Sequence, residues 1–146
     1  MTERRLRVRL PDDFARRARN LAAIRLRDVE RDPRARPWLL RLIALRDTAP
    51  RDVVGMIGFH GRPDASGGAE IGYEVFEAHR RRGYAREAVE GLLDWATGRH
   101  GVRRFLAAIA PDNEASMQLA MGLGFHQVGA QVDEDDAVEL LFELQR

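Results

Sequence analysis

EIGYEVFEAHRRRGYAR, residues 70–86, contains the change of period that decides the fold. Ala69 to Phe76 reads as a strand, on which the period of two puts Glu70 and Glu74 on one face. From Gly83 onward Ala85, Ala88, Val89, Leu92, Leu93 and Ala96 recur at steps of three and four, which makes one apolar helical face ending near Gly98. Val102 to Ile109 reads as a strand again, so strand, helix and strand form a crossover unit with parallel strands. At the junction, Gly83 and the small Ala85 let backbone approach a ligand closely. The first turn of the helix offers unpaired amide hydrogens and a partial positive charge, and Arg80, Arg81 and Arg82 surround it with cations. Those residues suit a phosphate cradle; they equally suit a basic surface turn before an amphipathic helix.

Upstream, Leu6, Val8 and Leu10 alternate briefly, and Pro11 and Asp12 begin a helix predicted to run to about Asp28. Arg31 to Pro37 is read as a connector, Trp38 to Leu45 as a buried strand and Asp47 to Asp52 as a turn. Val53 to Phe59 is a strand, and Gly61 to Gly68 is a loop leading to the Ala69 strand, which predicts a three-stranded antiparallel meander. Downstream, a helix is predicted from Glu114 to Met121. Strands Phe125 to Val132 and Ala137 to Leu144 are joined by the acidic turn Asp133 to Asp136.

The 146 residues, 45% hydrophobic, suffice for one core, and a single domain spanning 1–146 is expected. No apolar run reaches membrane-spanning length and the arginine-rich start lacks the apolar stretch of a secretory signal, so the expected location is the cytoplasm, with no membrane partner. The absence of cysteine excludes disulfides, thiolate metal sites and a cysteine-linked acyl intermediate. Residues 1–51 hold 15 Arg against 7 acidic residues, and the remainder 9 against 16. The arginines are interleaved with acids and apolar residues, as on a solvated helix face, so no nucleic-acid partner is expected.

Arg80-x-x-Gly83-x-Ala85 resembles the R/Q-x-x-G-x-G/A signature of the GNAT acetyltransferases, placed as in that family between strand and helix. Pro111-Asp112-Asn113-x-x-Ser116 and Gly122-Leu123-Gly124-Phe125 resemble two further landmarks of the family, in the right order. The resemblance covers residues 38–146, and its tone is similar to the branch containing the ribosomal-protein N-terminal acetyltransferases. It implies an α/β (α+β) GNAT fold, with a mixed central sheet whose fourth and fifth strands, here Ala69 to Phe76 and Val102 to Ile109, splay apart around the pantetheine arm of acetyl-CoA. The arm would pair with main chain near Val75 and Phe76. Amides from Arg81 to Arg86, Tyr84 among them, would hold the pyrophosphate, and Asn113 would touch the cofactor or serve as a helix N-cap.

The implied activity is transfer of an acetyl group from acetyl-CoA to a primary amine, of a small molecule or a protein, by direct attack. A non-catalytic acyl-CoA-binding or regulatory module on the same fold is the alternative. Glu70 and Glu74 are the candidate bases, with Glu70 preferred because its A-E-I context resembles the base-bearing strand of the family; a solvent-facing carboxylate is the structural alternative for each. The family's proton-donating tyrosine falls at Ala120, and Ser116 is the replacement candidate, or else a first-turn serine bonding backbone. Tyr84 reads as a packing or cofactor contact. His60, His79, His100 and His126 lack metal-site spacing, so no metal is expected; His60, at the end of a strand facing the acceptor side, is the one to watch, with a satisfied or exposed histidine as the favoured reading. The segment before Trp38 is short for the family, with an abbreviated first strand and an edge left open for pairing with a second subunit as a homodimer.

Overall fold

The computed structural model describes residues 7–146, so Leu6, the first residue of the predicted N-terminal alternation, lies outside the described residues. In chain order the elements are β1 (Val8–Arg9), α1 (Phe14–Arg31), a 3-10 turn (Pro33–Trp38), β2 (Arg41–Ala44), β3 (Arg51–Phe59) and β4 (Gly68–Val75). A second 3-10 turn (Glu77–His79), α2 (Tyr84–His100), β5 (Arg104–Ile109), α3 (Glu114–Gly122), β6 (His126–Val132) and β7 (Val138–Gln145) follow. The strands make one mixed sheet in the order β1-β3-β4-β5-β7-β6, with β2 also on β3. The predicted meander is present as antiparallel β2/β3 and β3/β4 pairs, and the predicted crossover as a parallel β4/β5 pair. The first strand is short, two described residues running parallel to Arg51 and Asp52.

Adjacent side chains of β3 serve opposite faces. Ile57 and Phe59 join Ile71, Val89, Leu93, Phe105, Ala120 and Phe142 beneath α2 and α3, whereas Val53 and Met56 join Val8, Ala18 and Phe76 beneath α1. Val53 and Met56 are three apart, against the period of two, because the β2 register passes from Ile43↔Gly55 to Ala44↔Val53 and leaves Val54 as an extra residue.

Trp38 to Leu45 is corrected in part. Trp38 ends a 3-10 turn, and only Arg41–Ala44 is strand. Asp32 Oδ1 accepts from the Arg34 N–H at 3.2 Å and Pro33 opens the turn, which drops Trp38 into an aromatic cluster with Phe59, Trp95 and His100. The first helix starts later and ends later than predicted, at Phe14 and Arg31. The second passes Gly98 and stops where Gly101 takes φ +66°. At the end of α3, Gly124 takes φ +95°, with Phe125 N–H bonded to Ala120 and Gly124 N–H to Met121, a Schellman arrangement that turns the chain into β6.

Phe105 is fully buried and stacks on Phe59 at a centroid distance of 6.0 Å. Phe105→Ala is expected to lower unfolding free energy by about 3–5 kcal/mol, whereas Val128→Ala, on the exposed β6, should stay within about 0.5 kcal/mol. Urea titration of the two variants checks the difference.

Candidate active site

The parallel ladder between β4 and β5 is short: Gly68↔Arg104, Ala69↔Phe105 and Glu70↔Leu106 are its pairs, and the strands then part. Which backbone groups face the opening follows from the neighbouring ladders. His60 N–H bonds to Glu70 O at 2.9 Å and Phe76 N–H to Val54 O at 2.8 Å, so the even-numbered residues of β4 spend their main-chain groups on β3. Ile71, Tyr73 and Val75 therefore point theirs into the gap. On the far wall, Arg146 N–H bonds to Arg103 O, which commits the odd-numbered residues of β5 to β7 and leaves Leu106 and Ala108 facing the gap. Of the two residues named from the sequence for pairing in this opening, Val75 faces it and Phe76 does not. The Val75 carbonyl already accepts from Arg80 Nε at 2.8 Å.

Beyond the gap, Arg81 (φ +64°) and Gly83 (φ +81°) both take left-handed backbone in the turn before α2. Such successive turns curl amide hydrogens toward a common centre. A Cβ placed on Gly83 would meet nothing within 4 Å, so the glycine is required by its φ and opens onto free space. Glu87 is the first helix amide to bond back, to Gly83 O, leaving the Tyr84, Ala85 and Arg86 amides at the open end of α2. The arginines divide their work. Arg80 is held by Val75, and Arg86 reaches Glu90 at 3.3 Å and the Gly122 carbonyl at 3.4 Å, while Arg81 and Arg82 are exposed.

Asn113 caps α3, its Oδ1 accepting from the Ser116 N–H at 3.2 Å. That leaves its amide NH2 as a donor beside the first turn of α3. Tyr73, to which the sequence gave no role, spans the opening: its hydroxyl donates to the Ser116 carbonyl at 3.3 Å, and burial pushes its phenol up. Ala120 is 2% exposed, so the position expected for a tyrosine is packed within the core.

Glu70 and Glu74 share the α1 face of β4, and their surroundings differ. Glu74 lies 3.7 Å from Arg17, a residue that also pairs with Asp13 at 2.6 Å and lies over the Phe76 ring. Glu70 Oε1 is 3.2 Å from His60 Nδ1, and this hydrogen bond holds the Glu70 carboxyl below the usual carboxylate value despite partial burial. A cavity of about 220 Å³ opens between α1 and this face, walled by Leu21, Arg25, Met56, His60, Gly72 and Glu74. A larger one, about 520 Å³, lies on the other side, between β2 and α2, with Arg41, Tyr84 and Trp95 in its wall. Neither carboxylate reaches it. Among the described residues no group of three or more histidine or acidic side chains is placed to hold a metal ion, and no helix is long and apolar enough to cross a membrane.

Residues 5–126 match the family model for the acetyltransferase (GNAT) domain. The N-acetyltransferase YjdG of Bacillus subtilis is 42% identical over 74 residues, which are 51% of this chain and 44% of that protein. The ribosomal-protein-serine acetyltransferase of Escherichia coli is 31% identical over 74 residues, 51% of this chain and 41% of its own. The chain thus spans about half the length of the curated relatives it matches. The crystal structure of the ribosomal-protein-S5-alanine acetyltransferase from Vibrio fischeri superposes with a TM-score of 0.68 at 18% identity, covering 84% of this chain and 67% of that one, a likeness of fold. With the family model covering most of its length and the splayed strands in the corresponding place, the chain belongs to the GNAT acetyltransferase family.

Proposed function

We propose that the chain is an N-acetyltransferase that moves an acetyl group from acetyl-CoA to a primary amine by direct attack. The observation that carries this reading is the parting of β4 and β5 immediately after Glu70↔Leu106, beside a turn whose amides curl outward. Strand-edge groups left unpaired suit an extended amide-bearing arm, which would add itself as a strand against Tyr73 and Val75. The pyrophosphate would rest on the amides of residues 81–86, with Arg81 and Arg82 as exposed cations around it, and Asn113 would meet the arm near the start of α3.

The reaction forms a C–N bond and breaks a C–S bond. The acceptor must lose a proton and the departing thiolate must gain one. The cavity on the α1 face lies against β4 beside the opening, so the acceptor amine would enter there and release its proton toward the Glu70–His60 pair. Glu74, held by Arg17, is the less available carboxylate. Ser116, half-buried in the first turn of α3, would donate to the thiolate in place of the missing tyrosine and recover its proton from solvent. The buried Ala120 favours one competing reading, a module that binds acyl-CoA without turning it over. An assay of acetyl transfer to peptides with free N-terminal serine or alanine, a lysine peptide, a polyamine and an aminoglycoside separates the two: acetyl-CoA binding with no transfer to any of them would support the module.

Gly83→Asp places a carboxylate where the phosphates would lie and should weaken acetyl-CoA binding by roughly ten-fold or more, as read by calorimetry. Gly83→Asn, whose side chain tolerates left-handed backbone, should bind more tightly than Gly83→Asp; equal affinity of both with the parent would remove the cradle. Ser116→Ala should lower turnover by about a hundred-fold with little change in acetyl-CoA affinity, and unchanged turnover under chemistry-limited conditions would remove Ser116 from the reaction.

A further inference from the structure

We infer that His60, rather than a carboxylate, is the group that takes the acceptor's proton, and that Glu70 acts as a positioning residue holding the ring by Nδ1. This rests on the acetyltransferase reading above and assigns the base within it. The ladder bond from His60 N–H to Glu70 O, 2.9 Å long, sets the two residues directly opposite one another on β3 and β4, with both side chains on the α1 face. Nδ1 then lies 3.2 Å from Glu70 Oε1, a contact that favours the proton on Nδ1, so that in the neutral ring Nε2 would carry the lone pair.

Nε2 has a defined place. A Cβ built on Gly72 would fall 2.7 Å from it, so the ring tip lies over a position of this strand face that has no side chain, between Glu70 and Glu74. Gly72 is two residues beyond the last β4/β5 pair and is flanked by Ile71 and Tyr73, whose main-chain groups face the gap. The ring tip thus sits where the strands open, in the wall of the 220 Å³ cavity between α1 and the sheet. The charged groups around it are Glu70 and Glu74 from β4, and Arg17 and Arg25 from α1. Arg17 is engaged by Glu74 and Asp13, and Arg25 by Asp28 at 3.0 Å. A carboxylate already accepting a hydrogen bond, with its carboxyl held low, is a poor proton acceptor, whereas an imidazole nitrogen with a free lone pair suits the task. In the step, the acceptor's N–H proton passes to Nε2 as the C–N bond forms; the imidazolium returns it to solvent once the thiol has left.

The test combines kinetics with nitrogen-15 NMR of the imidazole. His60→Gln should lower kcat/KM for the most active acceptor of the amine panel by about a hundred-fold or more, with acetyl-CoA affinity unchanged. Gly72→Ala, which keeps both side chains and displaces Nε2, should do the same, and Glu70→Gln should cost less. In the unmodified protein the neutral His60 ring should be the Nδ1–H tautomer, and Glu70→Gln should shift it toward Nε2–H. Full activity in His60→Gln with loss in Glu70→Gln, or an Nε2–H tautomer in the unmodified protein, would overturn the assignment. Silence of the unmodified protein toward every acceptor would count against the acetyltransferase reading itself, and the tautomer would then decide the pair on its own.

Discussion

A backbone amide in a sheet must be paired, and the parting of β4 from β5 withholds that pairing from a run of residues in the middle of the protein. Each strand is already held on its other side, β4 by β3 from Ile71 to Val75 and β5 by β7 from Arg104 to Ile109, so neither can swing across to close the gap. The rest of the site is arranged around that unmet demand. Arg80 satisfies one carbonyl, at Val75, and the Tyr73 hydroxyl ties the near wall to the first turn of α3. What remains is an opening with main-chain groups of Ile71 and Tyr73 on one side and of Leu106 and Ala108 on the other.

The two faces of the sheet divide the labour. Beneath α2 and α3 the side chains are apolar and packed, with Phe59 of β3 stacked on Phe105 of β5 across the sheet. Under α1 the face is polar near the gap: His60, Gly72 and Glu74 line the small cavity together with Arg25 of the helix, while Glu70 pairs with His60 and Arg17 with Glu74. The polar face is thus mounted on a wall whose other side is core, an arrangement that suits side chains whose geometry must stay fixed.

Much of this was legible in the sequence, for reasons that are local. The change of period at Gly83 and the parity of Glu70 and Glu74 depend on neighbours within a few residues, as does the Asn113 cap, whereas the helix end expected near Gly98 falls at Gly101. The partner of Glu70 was not legible. His60 and Glu70 meet through a register set across the loop from Gly61 to Gly67, and nothing in the intervening residues states that offset. That the Phe76 amide turns to β3 is hidden for the same reason, since which edge of a strand an amide faces depends on hydrogen-bond parity with its neighbour. Trp38 was read as strand because an apolar run does not by itself distinguish extended chain from a 3-10 turn opened by proline and capped by Asp32.

The extra residue at Val54 acts as a phase break in the molecule. Downstream of it, β3 and β4 keep one uninterrupted register from Gly55↔Val75 to Phe59↔Ile71, the register that brings His60 to Glu70. Upstream, β1 and the end of β2 pair with a stretch whose facing is set independently. A one-residue insertion or deletion before Val54 can be absorbed by reshaping the bulge, whereas the same change between Gly55 and His60 would turn every side chain of that segment to the opposite face and separate the imidazole from its carboxylate. The bulge thus lets the chain ahead of Val54 change length by a residue while the strand that carries the histidine keeps its frame, with α1 still packed over the small cavity through Leu21 and Arg25.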